Sequence, residues 1–352
     1  LATGWISSQG AYIDRFQNAF ARYMGEGSAL TTSSGTTALH LALEALGIGA
    51  GDEVIVPDLT FGATANTVIH AGAAPVFVDV DPVTWTMDAK AFARAIGPRT
   101  KAVIPVHLYG HPCDMDPILA IAREHGLKVI EDCAEALGAE YNGRKVGTLG
   151  DVGCFSFFAN KIITTGEGGM VVTRDPTLHT EMALLRDHGM AKDRRYWHLE
   201  AGYNYRMTNL QAALLIGQID RIDGLWQQRE AISRRYERGL AGAEGVSFPV
   251  VVPASKSARH LFTIWVNPAI RDHVLNDLQA RGIGVAVNYR AVHLLNYYQE
   301  TLGHARGTFP EAERIGDSTI TLPLYPKLTE QHVDYVIDGV KAATAKLASA
   351  VS

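Results

Sequence analysis

The sequence predicts an α/β fold, a mostly parallel sheet sandwiched by helices, followed by a smaller C-terminal α+β domain. Three observations carry that reading. Short apolar runs rich in β-branched residues alternate with helical patterns from residue 28 to about residue 187. Such alternation implies helical crossovers between parallel strands, with ligands at the strands' C-terminal ends. Beyond about residue 245 the pattern changes character. At 352 residues and 47% hydrophobic, the chain can bury a large core. Two domains are expected, 1–240 including a long connecting helix, and 241–352.

Gly35–Leu46 reads as a helix, with Leu39, Ala42, Leu43 and Leu46 on one face. Glu53–Val56 is a strand, Phe61–Ala71 a helix, Pro75–Val80 a strand, Asp88–Ile96 a helix, Ala102–Val106 a strand, Met115–His125 a helix and Lys128–Glu131 a strand. Cys154–Phe158 and Met170–Thr173 read as two further strands. Leu178–Asp187 is helical, and Thr208–Leu240 can hold one long helix, broken near Gly217 or Gly224. In the C-terminal part, Leu261–Val266 and Thr319–Leu322 read as strands, His273–Arg281 and Glu330–Leu347 as helices.

The net charge of −5 gives no electrostatic footprint for nucleic acid. Cys113, Cys133 and Cys154 stand far apart, without a CxxC pair, which fits reduced thiols in a cytoplasmic protein and neither a disulfide frame nor a zinc or other metal site. The longest uncharged stretch, Leu59–Val78, is too polar for a membrane span. No secretory leader is read at the start, and Leu1-Ala2-Thr3-Gly4 resembles the tail of a helix entering a turn, so the native chain is expected to begin earlier. Neither GxGxxG nor GxxxxGK[ST] occurs, which ranks nicotinamide chemistry low.

The stretch Gly153–Gly169 places Lys161 after an apolar strand, flanked by Phe157, Phe158, Ile162 and Ile163 and followed by a glycine-rich turn. A surface lysine in a hairpin is the ordinary alternative, but a solvated tip does not need four large apolar neighbours. A lysine so placed loses solvation, is easier to deprotonate, and can attack an aldehyde. Thr31–Thr37 gathers six hydroxyl residues around Gly35 at the start of a helix, where unpaired amides and hydroxyls suit a phosphate; plain N-capping by Ser33 or Ser34 competes with that reading. Asp132 closes a buried strand, where a carboxylate needs a donor or a cation such as a protonated pyridine nitrogen; on its own a salt bridge or helix cap is the stronger reading. Phe61 follows a strand end and is placed to stack on a planar ring, with core packing equally open. Ser156 alternates away from Phe155 and Phe157, and its hydroxyl wants a partner such as a phosphate oxygen. Together these features describe a pyridoxal 5'-phosphate site.

Over essentially its whole length the chain resembles the DegT/DnrJ/EryC1/StrS sugar aminotransferases, within the fold-type I pyridoxal phosphate enzymes. The resemblance is carried by GWISSQG (4–10), SSGTTALHLAL (33–43), GDEVIVPDLTF (51–61), VIEDCAEALGA (129–139), SFFANKIITTGEGGMV (156–171), LRDHGM (185–190) and GYNYRMTNLQAAL (202–214). It implies that Lys161 links to the cofactor and shuttles the proton, Asp132 pairs with the ring nitrogen, Phe61 stacks on the ring, and Gly35, Thr36 and Ser156 hold the phosphate. Glu135 takes a position beside the ring's phenolic oxygen where many relatives carry glutamine or histidine. Asn204 is implied to reach the phosphate from the partner subunit of a homodimer. The runs 105–118 and 186–209 are most similar to perosamine synthases, whereas VNYRAVHLLNYYQE (287–300) is similar to enzymes acting on UDP-linked 4-keto sugars. Ser8, His107, Tyr289, Arg290 and His293 are the implied substrate contacts. The implied activity is amination, with glutamate as donor and 2-oxoglutarate as product, of C4 of a nucleotide-linked 4-keto-6-deoxy sugar, as in the deoxyamino sugar biosynthesis of lipopolysaccharide O-antigen. Amination of a UDP- or dTDP-linked 3-keto or 4-keto sugar or of a cyclitol ketone, or a non-catalytic cofactor-binding regulator, are the alternatives.

Overall fold

The computed structural model describes residues 4–194, 196–253 and 255–351; the Leu1–Thr3 part of the expected N-terminal helix tail lies outside them. In chain order the elements are α1 (Ala11–Met24), β1 (Ser28–Thr32), α2 (Gly35–Ala45), β2 (Glu53–Pro57), α3 (Ala63–His70), β3 (Ala74–Val78), α4 (Ala89–Ala95), β4 (Thr100–Val103), α5 (Met115–Glu124) and β5 (Lys128–Asp132). There follow β6 (Glu140–Tyr141), β7 (Arg144–Lys145), β8 (Val152–Ser156), β9 (Gly169–Thr173), α6 (Pro176–Arg186), α7 (Asn209–Ile219) and α8 (Ile222–Leu240). The last part holds β10 (Ser255–Lys256), β11 (Phe262–Trp265), α9 (Pro268–Ala280), α10 (Asn296–Leu302), α11 (Pro310–Ser318), β12 (Thr319–Leu322) and α12 (Glu330–Val351).

Seven strands form the main sheet in the order β1-β9-β8-β5-β4-β2-β3. The neighbours from β3 to β8 run parallel, and β9 is antiparallel to both β8 and β1. Successive residues of one strand enter opposite cores: Val129 of β5 and Phe155 of β8 join the cluster under α1, α5 and α7, whereas Ile130 and Cys154 join the one under α2, α3 and α6. Two-sided burial is why these strands read as continuous apolar runs. Helix α1 was not among the expected elements, although Ile13, Phe16, Phe20 and Met24 recur at helical spacing and are buried. Its Phe16 and Phe20 meet Phe157 and Phe155 edge to face, at 5.4 and 5.1 Å between ring centres.

The expected long helix is two helices, and the break falls at Asp220–Arg221 while Gly217 and Gly224 lie inside helices. Destination decides the break. Leu215, Ile219 and Ile222 pack into the large core, whereas Ile232, Tyr236 and Leu240 pack with β11, α9, β12 and α12. Helix α7 begins with a capping box, Thr208 Oγ1 accepting from the Gln211 amide and Gln211 Oε1 accepting from the Thr208 amide. No helix among the described residues is long and apolar enough to cross a membrane.

Candidate active site

Strands β2, β5 and β8 point their C-terminal ends at a cavity of about 380 Å³, lined by Gly35, Thr36, Thr60, Phe61, Asp132, Glu135, Ser156, Lys161 and Tyr289 among others. A larger cavity of about 750 Å³ opens beside α1 and α6, lined by Gln17, Arg186 and Lys192. The smaller one is the candidate site, because the lysine, the buried carboxylates and the open helix N-terminus converge there.

Lys161 does not sit on a strand end; it lies in the 157–168 loop, whose neck is closed by the Phe157 amide donating to the Gly168 carbonyl at 2.8 Å. The apolar neighbours that marked it in the sequence are anchors. Phe157, Ile162 and Ile163 are buried in the core. Gln218 and Gln211 of α7 donate to the carbonyls of Thr164 and Glu167, tying the loop to that helix. The side chain of Lys161 is left 13% exposed, with Nζ 3.5 Å from Glu135 Oε1.

At the start of α2, Ser34 caps the helix: its Oγ accepts from the Thr37 amide at 3.1 Å, and Thr37 Oγ1 accepts from the Ser34 amide at 3.0 Å. Capping is therefore built in and leaves room for an anion, since Ser34 and Thr37 serve each other while the amides of Gly35 and Thr36 have no partner among the described residues. Gly35 is required by close approach. A Cβ there would stand 2.7 Å from Ser156 Cβ, so only glycine lets the α2 N-terminus meet the end of β8.

Asp132 ends β5 fully inside, accepting from Thr64 Oγ1 at 2.8 Å and from the Ala134 amide at 3.1 Å. Burial pushes its carboxyl above the ordinary range despite these donors and Lys161, so a cation brought against it would be welcome. Glu135 is the opposite case. Burial pushes it up, but Lys161 and His260 nearby, with the Tyr289 hydroxyl at 2.7 Å and the Tyr109 amide at 2.8 Å donating to it, hold it below the usual value. Phe61 is 61% exposed and its ring lies 5.7 Å from that of Tyr289. An exposed aromatic beside a buried carboxylate is free to stack on a planar ligand.

The remaining expected contacts fall elsewhere. His107 does not face the cavity: it is fully buried, its Nδ1 accepting from the Cys113 amide at 3.0 Å and its Nε2 3.1 Å from Glu131 Oε2. Glu131 in turn accepts from the amides of Gly147, Leu149 and Gly150, so the pair braces a turn beneath the sheet. His293 is likewise fully buried, held between Asp58 and Glu313. Neither histidine lines the cavity, because each side chain turns into the core toward a carboxylate, a direction that the sequence does not show. Ser8, Asn204 and Arg290 are not part of the cavity wall within this chain. The segment carrying Ser8 is fastened to Asn209 at the start of α7, Asn204 is exposed and accepts from Arg206 Nε, and Arg290 lies 3.7 Å from Asp317. Sequence reasoning missed Thr64, Tyr109 and His260. For Thr64 a hydroxyl at the first turn after Phe61 was a usable signal; for the other two there was none.

An anion cradle closed to any side chain, a buried carboxylate wanting a cation, an exposed aromatic and an anchored lysine fit pyridoxal phosphate, and with the seven-stranded sheet they define a fold-type I aminotransferase. The chain belongs to the DegT/DnrJ/EryC1/StrS aminotransferase family, whose model matches residues 1–341. It is 48% identical over 339 residues to a GDP-perosamine synthase of Caulobacter vibrioides, covering 95% of this chain and 91% of that protein. The S. venezuelae protein DesV superposes with a TM-score of 0.93 at 39% identity, covering 97% of this chain and 91% of that one. The Streptococcus pneumoniae protein Spr1654 in its PLP form superposes with a TM-score of 0.93 at 32% identity, covering 98% of this chain and 93% of that one. The protein is a pyridoxal phosphate-dependent transaminase.

Proposed function

We propose that this transaminase moves an amino group from glutamate to C4 of a nucleotide-linked 4-keto-6-deoxy sugar, in the manner of a perosamine synthase. The observation that carries the reading is the convergence of Lys161, Asp132 and the Gly35–Thr36 amides on one cavity, in a chain 48% identical to a GDP-perosamine synthase along nearly its whole length. When bound, pyridoxal phosphate supplies an aldehyde that takes up nitrogen and a ring that accepts the electron pair released at the reacting carbon. Lys161 Nζ would hold that aldehyde and move the proton at the substrate carbon. Asp132 would keep the ring nitrogen protonated, Phe61 would cover the ring, and the amides of Gly35 and Thr36 with the Ser156 hydroxyl would bind the phosphate. Glu135 orients Lys161 and Tyr289 by the contacts already described, and Tyr289 walls the side where the ketone enters.

The reading includes a homodimer in which Asn204 of each subunit reaches the other's phosphate. It is supported by the exposure of Asn204 outside its own cavity and by apolar side chains left open nearby on α7, Leu210 at 41% and Leu214 at 62%. Ser8 and Arg290 are proposed as sugar-nucleotide contacts of the assembled dimer, and the cytoplasm as the place of work. The test is to incubate the holoenzyme with glutamate and GDP-4-keto-6-deoxymannose, following the amino sugar by mass and 2-oxoglutarate by a coupled assay. Turnover of UDP- or dTDP-linked keto sugars alone would reassign the nucleotide, and amination of only a cyclitol ketone would overturn the reading.

A further inference from the structure

A buried charged cluster that the mechanism does not use is built around His293. Asp58 follows β2 and is fully buried; its Oδ2 lies 2.6 Å from His293 Nδ1, and its Oδ1 accepts from the His293 amide at 2.8 Å. On the other side of the imidazole, Glu313 Oε1 of α11 lies 3.2 Å from Nε2, off the line of a hydrogen bond. Main-chain contacts reinforce the junction, the Val292 amide donating to the Asp58 carbonyl at 2.8 Å, with Leu59 and Ala291 bridged beside it. Burying two carboxylates around one imidazole is costly unless the ring is charged and the geometry is held. Burial works against that charge, but Asp58 and Glu313 raise the His293 pKa above its ordinary value. The other charged or titratable groups around it are Asp79, His304 and Arg306, the last 3.5 Å from Glu313.

The cluster stands at the base of two loops whose tips meet at the cavity. Three residues beyond Asp58 is Phe61, and four residues before His293 is Tyr289, whose rings lie 5.7 Å apart. Tyr289 also donates to Glu135, the carboxylate beside Lys161. We infer that His293 is a positioning residue for transamination: clamped by Asp58 and Glu313, it fixes the Tyr289 loop against the Phe61 loop and so sets the aromatic wall over the cofactor ring. It touches neither substrate nor cofactor. A side chain packed at the base of a loop controls the tip because the few intervening residues are short and themselves hydrogen-bonded, so loss of the clamp appears as loss of order where Phe61 and Tyr289 meet.

The inference rests on the family's transaminase chemistry and not on the identity of the sugar, and its test needs no sugar. Cofactor-free protein carrying His293→Gln is titrated with pyridoxal phosphate, and the induced circular dichroism of the bound cofactor is recorded. Roughly tenfold weaker binding and a changed dichroic signal are expected, because the coupling of two packed sites is of that size. The same change is then made on a Phe61→Ala background. If His293 acts through the aromatic wall, His293→Gln has little further effect there. Wild-type affinity and dichroism in the single variant would overturn the inference, and so would losses that simply multiply in the double variant, since those mark a general destabilisation. If His293→Gln does not fold, Glu313→Gln carries the test. It keeps an oxygen for the Gly307 amide while removing the charge facing Nε2. Weaker binding with the same non-additivity supports the inference, and unchanged or additive behaviour overturns it.

Discussion

Gly35→Ala tests the cradle most directly, because its effect can be worked out from one distance. The new methyl group would stand 2.7 Å from Ser156 Cβ, 3.2 Å from its Oγ and 3.3 Å from its Cα. Carbon atoms rest at about 3.5–4.0 Å, so the α2 N-terminus and the end of β8 must separate by about 1 Å. Overpacking of this kind costs about 1–3 kcal/mol. Alanine's better helix propensity returns at most about 1 kcal/mol, so the clash wins and the thermal midpoint falls by a few degrees. Cofactor binding suffers more. The displaced amides of Gly35 and Thr36 lose at least one hydrogen bond to a charged phosphate, worth about 1.5–3 kcal/mol, which is about 10- to 100-fold in Kd. The assay is titration of cofactor-free protein with pyridoxal phosphate, followed by absorbance, for Gly35→Ala, Ser156→Gly and the pair. Ser156→Gly removes the two closest atoms of the clash, so the double variant is expected to bind no worse than Ser156→Gly alone. Unaltered binding by Gly35→Ala, or independent losses in the double variant, would refute the reasoning.

Lys161→Ala is expected to abolish transamination with the fold intact, checked by multiple-turnover assay and by loss of the absorbance of the lysine-linked cofactor; near-wild-type turnover would remove Lys161 from its role. Asp132→Asn is expected to keep the cofactor but slow turnover by orders of magnitude, because the ring nitrogen loses its counter-charge; normal turnover would leave the carboxylate as a cap for the Ala134 amide and the Thr64 hydroxyl only. The folded pKa of Glu135 is lowered, so its contribution to stability is present above the unfolded value of about 4.3 and is lost as pH falls through the folded value. The gap in thermal midpoint between cofactor-free wild type and Glu135→Gln is therefore expected to be open near neutrality and to close below about pH 4.3; a gap that persists in strong acid would contradict this. Finally, Lys161→Ala and Asn204→Asp chains refolded together are expected to regain roughly a quarter of the wild-type sites, since random pairing gives half heterodimers with one intact site each; heterodimers confirmed by mass but without activity would place Asn204 outside a shared site.

Much of the fold was legible because strand and helix periods are local properties. Thr319–Leu322 falls where its apolar alternation put it, and Glu53, Lys128 and Met115 begin elements as their flanking turn residues indicated. The glycine-bounded run around Lys161 was legible for the same reason: four large apolar residues about a lysine demand a core to enter, and Phe157, Ile162 and Ile163 enter it. The direction in which a side chain points was not legible. Asp132 and Phe61 line the cavity, but His107 and His293, equally conspicuous as letters, turn inward to carboxylates 24 and 235 residues away in sequence. The break between α7 and α8 was legible but its exact place was not, because that is set by two separate cores competing for the two halves of one apolar stripe and not by either glycine. Local sequence thus determined most elements of the main sheet, the anchored loop around Lys161 and the capped helix start at Gly35, each of which depends on neighbours a few residues away. Only the tertiary structure decided which titratable groups meet, as Glu135 does with Lys161 and Tyr289, because burial and pairing depend on residues that chain order keeps far apart.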